Sequence, residues 1–206
     1  MKRSKFLFGL ALCTMVLFVN MLSAQFAGGN GTEEEPYLVE TATQLNNVRN
    51  YIGSYFLQID DIDLTGYNWV PIGVLPTPYG DQPFYGRYDG NNYLIENLTI
   101  SNPNHDYVGL FGYSIDAELK NIRLSQVDID AGSASCVGAI TGIAINSFVS
   151  NCSVVSGSIE GDNLVGGLVG GMGTLFPYYA NKKLSDEGSK KANKKFDVYS
   201  YFDGMI

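Results

Sequence analysis

The chain repeats itself, and this feature constrains its fold more than any other. Val137-Gly138-Ala139-Ile140-Thr141-Gly142 matches Val165-Gly166-Gly167-Leu168-Val169-Gly170 at an offset of 28 residues, with a shorter copy upstream at Val108-Gly109-Leu110-Phe111-Gly112. From Gly112 to Asp130 the chain maps onto Gly142 to Glu160 at a constant offset of 30. Leu119 then falls on Val149, Asn121 on Asn151, Ile122 on Cys152 and Ile129 on Ile159. A further copy is read at Leu94 to Ile100, with Ile95, Asn97, Leu98 and Ile100 on Leu119, Asn121, Ile122 and Leu124. Tandem units of this length cannot bury a core singly and do so by stacking on their neighbours.

Inside each unit the apolar residues alternate. Val108 and Leu110, Ile115 with Ala117 and Leu119, Ile122 and Leu124, and Val127 and Ile129 each describe a short strand with one buried face. Several short strands per unit predict an all-β fold, a right-handed parallel β-helix-like solenoid with coils about 4.8 Å apart. Asn97, Asn121 and Asn151 are expected at one corner as a structural ladder. Asparagine tolerates the left-handed backbone that a corner demands, and stacked asparagines bond to one another. The sequons Asn97-Leu98-Thr99 and Asn151-Cys152-Ser153 are accounted for by that placement.

The two ends differ from the repeats. A basic start (Lys2, Arg3, Lys5), an uncharged run from Phe6 to Val19 and Leu22-Ser23-Ala24 read as a signal peptide over 1–24, cleaved between Ala24 and Gln25. The run is shorter than the roughly 20 residues of a spanning helix. Residues 25–73 read as an N-terminal cap with a short helix, begun by the capping box Thr41 and Gln44 and lined by Leu45, Val48 and Ile52. Asp60, Asp61 and Asp63 have the hard oxygens that suit calcium but too few ligands for a recognisable loop, so they read as a solvated strand edge and no metal is assigned. Repeats occupy 74–170. Residues 171–206, rich in lysine and then aromatic, form an atypical tail, truncated or disordered, or folded back on the open end.

Charge and residue types narrow the function. Residues 25–170 hold seventeen acids and four bases (Arg49, Arg87, Lys120 and Arg123), a surface that repels nucleic acid. Cys136, at a strand start, and Cys152, on a strand, suit small buried hydrophobes; an oxidising compartment would also allow a disulfide. A lyase needs a strong base beside carboxylates, and a hydrolase needs two facing carboxylates. The four bases do not recur on one face, and Asp128 and Asp130 share one strand, so no catalytic residue and no cofactor is assigned. Tyr67, Trp69, Tyr79, Phe84, Tyr85, Tyr88 and Tyr93 cluster within 67–93. They pack the first coil or, if exposed, offer ring faces to a glycan or a host surface protein. The binding residues themselves stay unassigned.

Val165-Gly166-Gly167-Leu168-Val169-Gly170 resembles the signature of GLUG-motif proteins, secreted bacterial repeat proteins common in Bacteroidetes. The upstream pieces Glu35-Pro36-Tyr37-Leu38-Val39, Thr43-Gln44-Leu45, Asp61-Ile62-Asp63-Leu64, Trp69-Val70-Pro71-Ile72-Gly73 and Tyr88-Asp89-Gly90-Asn91 stand in the order that the resemblance calls for. It covers residues 28–170, and the tail departs from it. The resemblance implies an extracellular β-helix module, adhesin-like and without catalytic residues of its own. Such modules also accompany large surface peptidases that cleave immunoglobulin A. The expected role is an exported or cell-surface binding or scaffold module. The alternative is a non-catalytic fragment of such a peptidase, or a polysaccharide-active β-helix enzyme.

Overall fold

The computed structural model describes residues 25–73, 82–101 and 103–173, and the backbone of Phe196, Asp197, Ser200 and Tyr201. The stretch through Ala24 expected to be a signal peptide, Tyr79 and most of the tail lie outside the described residues.

The chain winds into a parallel β-solenoid of about 4 turns. It enters through β1 (Tyr37–Val39), helix α1 (Ala42–Asn47), β2 (Tyr55–Gln58) and β3 (Ile62–Asp63). The next coil holds β4 (Arg87–Asp89), β5 (Leu94–Glu96) and β6 (Thr99–Ser101). A complete coil follows in β7 (Phe111–Ile115), β8 (Glu118–Lys120), β9 (Arg123–Ser125), β10 (Val127–Asp130) and β11 (Ser135–Gly138). The last coil repeats that order in β12 (Thr141–Ile145), β13 (Phe148–Ser150), β14 (Ser153–Val154), β15 (Gly157–Glu160) and β16 (Asn163–Gly166), and β17 (Val169–Gly173) begins another. Two short strands of the tail, β18 (Phe196–Asp197) and β19 (Ser200–Tyr201), pair antiparallel with β15 and β14.

Each strand pairs with its equivalent one coil away, giving five faces. The first face runs β1-β2-β4-β8-β13 and the second β3-β5-β9-β14, all parallel. Residue spacing dictates what lies inside. Phe56 stands over Tyr88 and Leu119; Ile62 over Ile95, Leu124 and Val154; Ile100 over Ile129 and Ile159. All of these are buried. Each fully buried aliphatic side chain contributes roughly 1.5–3 kcal/mol, so the column of like residues is the main stabilising element. At the entry end the core turns aromatic: Phe26 stacks on Tyr37 at 4.4 Å, and Phe84 meets Phe111 at 4.8 Å.

The helix starts where the capping box put it. Thr41 Oγ1 accepts from Gln44 N–H at 3.3 Å, while Gln44 Oε1 accepts from Glu40 N–H at 2.8 Å. Leu45 and Val48 are buried, and Ile52 is half-buried. The first and second faces run through residue 73 without a break, because β2 and β3 pair with β4 and β5. The last face continues past Gly170 to Gly173, which aligns with Ile145. Between 59 and 64 only Ile62–Asp63 is strand.

The glycines of the repeated motif hold two coils close together. A Cβ on Gly142 would stand 2.5 Å from Val108 N and 2.6 Å from Cys136 O, both backbone atoms that cannot swing aside.

Candidate functional site

The corners use up many of the polar side chains. Asn121 (φ 55°) and Asn151 (φ 51°) occupy one corner in successive coils, since Lys120 aligns with Ser150. Asn151 Nδ2 donates to Asn121 Oδ1, and Asn121 Nδ2 donates to Asp89 Oδ1 at 2.8 Å. Asn97 is left-handed too (φ 59°), but it belongs to a different corner. Ile95 aligns with Leu124, which sets Asn97 over Gln126 (φ 55°). The expected register of Leu94–Ile100 is therefore corrected from an offset of 24 to one of 29. Both corners need a left-handed residue between two short apolar strands, so the local patterns look alike. Asn97 Nδ2 instead donates to Asp63 Oδ1 at 2.7 Å and Thr65 Oγ1 at 3.0 Å.

The acidic cluster serves the backbone. Asp60 Oδ1 accepts from Asp61 N–H, and Asp61 Oδ1 from Leu94 N–H at 2.7 Å. Bonds from the Thr65 hydroxyl, the Asn97 amide and Thr65 N–H hold the Asp63 carboxyl below the usual carboxylate range. Among the described residues, no three His, Cys, Asp or Glu side chains form a group able to hold a metal. Cys136 and Cys152 are buried free thiols. Cys152 sits just before β14 rather than on it, and burial pushes its pKa up to about 11. Gln25, the residue expected to start the mature chain, is exposed, and its carbonyl accepts from Asn47 Nδ2 at 3.3 Å.

The aromatic segment divides between core and surface. Trp69, Phe84 and Tyr88 are buried, with Trp69 Nε1 donating to Leu110 O at 3.0 Å and the Tyr88 hydroxyl donating to Gln58 Oε1 at 3.2 Å. Tyr67 and Tyr85 are exposed. Tyr93 is half-buried, so three of the six described rings turn inward.

The bases are anchored. Arg49 lies 5.5 Å from the Trp69 ring centroid and donates to Val70 O at 2.7 Å. Arg123 donates to Asn92 O at 3.1 Å. Arg87 Nη1 donates to Asp116 O at 2.7 Å and to Gly86 O at 3.1 Å. Asp128 aligns with Ser158 and Thr99, while Asp130 aligns with Glu160 as its neighbour in the same sheet, side by side and not across a cleft.

A groove of about 160 Å³ lies on the outer side of the first face. Alternation along β2, β4 and β8 turns Phe56, Tyr88 and Leu119 inward and their neighbours outward. Register then stacks Tyr55, Arg87 and Glu118 in one column, and Leu57, Asp89 and Lys120 in the next. Arg87 Nε lies 3.5 Å from Glu118 Oε2; Lys120 Nζ lies 3.0 Å from Glu118 Oε1 and 3.7 Å from Asp89 Oδ2. Two positive and two negative groups thus form a checkerboard beside an apolar wall. The bond that Lys120 donates to Glu118 raises the Lys120 pKa, so its ammonium stays charged. Single-residue motifs miss this site, because its columns join residues 31 or 32 positions apart.

No family model matches this chain. It is 42% identical over 130 residues to a Gly-rich membrane protein of Evansella cellulosilytica, an alignment covering 58% of this chain and 14% of that protein. It is 33% identical over 155 residues to halomucin of Haloquadratum walsbyi, covering 69% of this chain and 2% of that one. The chain therefore spans only a small part of the curated relatives it matches. Among solved structures, one assigned as an immunoglobulin A1 protease from Bacteroides ovatus aligns with TM-score 0.48 and 19% identity, covering 72% of this chain and 65% of that chain. No helix among the described residues is long and apolar enough to cross a membrane.

Proposed function

We propose that the chain is a non-catalytic module of an exported cell-surface protein, a solenoid scaffold with one binding face. The observation that carries this reading is the fate of the four bases within residues 25–170. Arg49, Arg87 and Arg123 donate to backbone carbonyls, and Lys120 is held by two carboxylates. A general base must be free to take a proton from substrate, and groups held this way build structure instead. The groove of the first face is the best candidate for a binding surface. Export is supported by the signal-like start, and surface display by the names of the two relatives.

The test is incubation of the purified chain with pectin, xylan, chitin and denatured casein. No release of reducing ends or peptides is expected. Product release abolished by Arg87→Ala or Asp128→Asn would overturn the reading. Secreted material sequenced from its N-terminus is expected to begin at Gln25. A second reading, that the solenoid is one segment of a much longer surface protein, is favoured by its last coil. Leu164 (62% exposed) and Met172 (69%) stand where Cys136 (7%) and Ala144 (1%) are buried one coil earlier.

A further inference from the structure

We infer that the groove on the first face holds a neutral sugar ring, gripped at the gap between Lys120 and Asp89 and laid against Tyr55 and Leu57. The inference rests on the reading of the chain as a binding module and names the ligand class of that site. The gap is fixed from both sides. Asp89 Oδ1 accepts from Asn91 N–H at 2.8 Å and from Asn121 Nδ2 at 2.8 Å, which pins the carboxylate. Glu118 holds Lys120 Nζ at 3.0 Å. The remaining 3.7 Å between Lys120 Nζ and Asp89 Oδ2 is too long for a direct hydrogen bond. One hydroxyl oxygen set beside this loose pair, off the line joining the two atoms, donates to Asp89 Oδ2 and accepts from Lys120 Nζ.

Water meets that local demand, but the surroundings select more than water. Tyr55 and Leu57 lie one strand below the charged row, aligned with Arg87 and Asp89. They give an aromatic and aliphatic wall that suits the C–H face of a ring. The checkerboard carries no net charge, so an anionic or cationic ligand meets as much repulsion as attraction within it. Glu33 at the rim further disfavours anions. The chemistry left is neutral, hydroxyl-rich and apolar on one face. The groove volume of about 160 Å³ is below that of a drug-sized pocket, which runs to roughly 300–1,000 Å³, so a single ring is held and affinity is weak.

The experiment is amide chemical-shift mapping on the full chain, with cellotriose, xylotriose, chitotriose and mannotriose as neutral probes and trigalacturonate as the acidic one. At least one neutral trimer is expected to shift amides of residues 55–57, 87–89 and 118–120, with trigalacturonate leaving them in place. Lys120→Met and Tyr55→Ala are each expected to weaken binding by roughly tenfold, while the spectrum keeps its folded dispersion. Asp128→Asn, on another face, is expected to leave binding unchanged. Absence of shifts on this face with every neutral probe, or shifts indifferent to both variants, would overturn the inference and leave the gap to water. Shifts confined to another face sink the sugar groove but leave a binding module standing. Release of product from the polymers sinks the module reading whatever the amides do.

Discussion

Asn121 meets two demands at once. Its backbone is left-handed, and its amide ties Asp89 of the coil below to Asn151 of the coil above. An ordinary L-residue in that conformation costs roughly 1–2 kcal/mol, and a lost bond to a partly buried partner about 1–3 kcal/mol. Asn121→Leu is therefore expected to lower unfolding free energy by about 2–4 kcal/mol in urea titration. Asn121→Gly keeps the backbone and should lose less. Equal losses would assign the whole effect to side-chain bonding. Cys152 gives a pH prediction. Burial raises its thiol pKa to about 11 from an ordinary 9, so the folded chain holds that proton more tightly than the unfolded one. The contribution is complete below pH 9 and fades as pH rises through 11. A thiol reagent at pH 8 is expected to modify Cys152 only on unfolding. Rapid labelling of the native protein would contradict the burial.

At the level of elements, the repeated glycines are explained by close approach. Gly142→Ala would drive a methyl into Val108 N and Cys136 O. Overpacking a core typically costs 1–3 kcal/mol. Against rigid backbone the loss should exceed that range, and circular dichroism of the variant should show a large drop in melting temperature. Parallel strands were legible in the sequence wherever coil length is regular. The offset of 30 from Leu119 to Val149 and of 28 from Val137 to Val165 are the true registers. Reading failed where length varies. Ile72 aligns with Phe111 and Phe84 with Ser114, so a stretch of twelve positions in one coil matches three in the next. That insertion hid the pairing of Tyr55–Leu57 and Ile62–Asp63 with the coil that follows. The left-handed Cys136 and Leu164 align across β11 and β16 with no glycine or asparagine to announce them. The groove was illegible for a related reason. Leu57, Asp89 and Lys120 meet only once the register is known.

For the whole molecule, the direction of the hydrogen bonds matters more than their number. Every inter-strand bond between coils, such as those of β4 to β8 and β8 to β13, points along the stack. A load applied between the two ends of the solenoid pulls in line with those bonds and meets them a coil at a time. This is the geometry of a zipper, unlike the shear that a sheet resists when pulled along its strands. Each released coil of about 30 residues pays out roughly 100 Å of slack. In an optical trap the chain is therefore expected to lengthen in near-equal small steps at low force, and a single all-or-none rupture would contradict it. Anchored at a surface, such a chain behaves as a shock absorber, yielding coil by coil under tension and rewinding when the tension is removed.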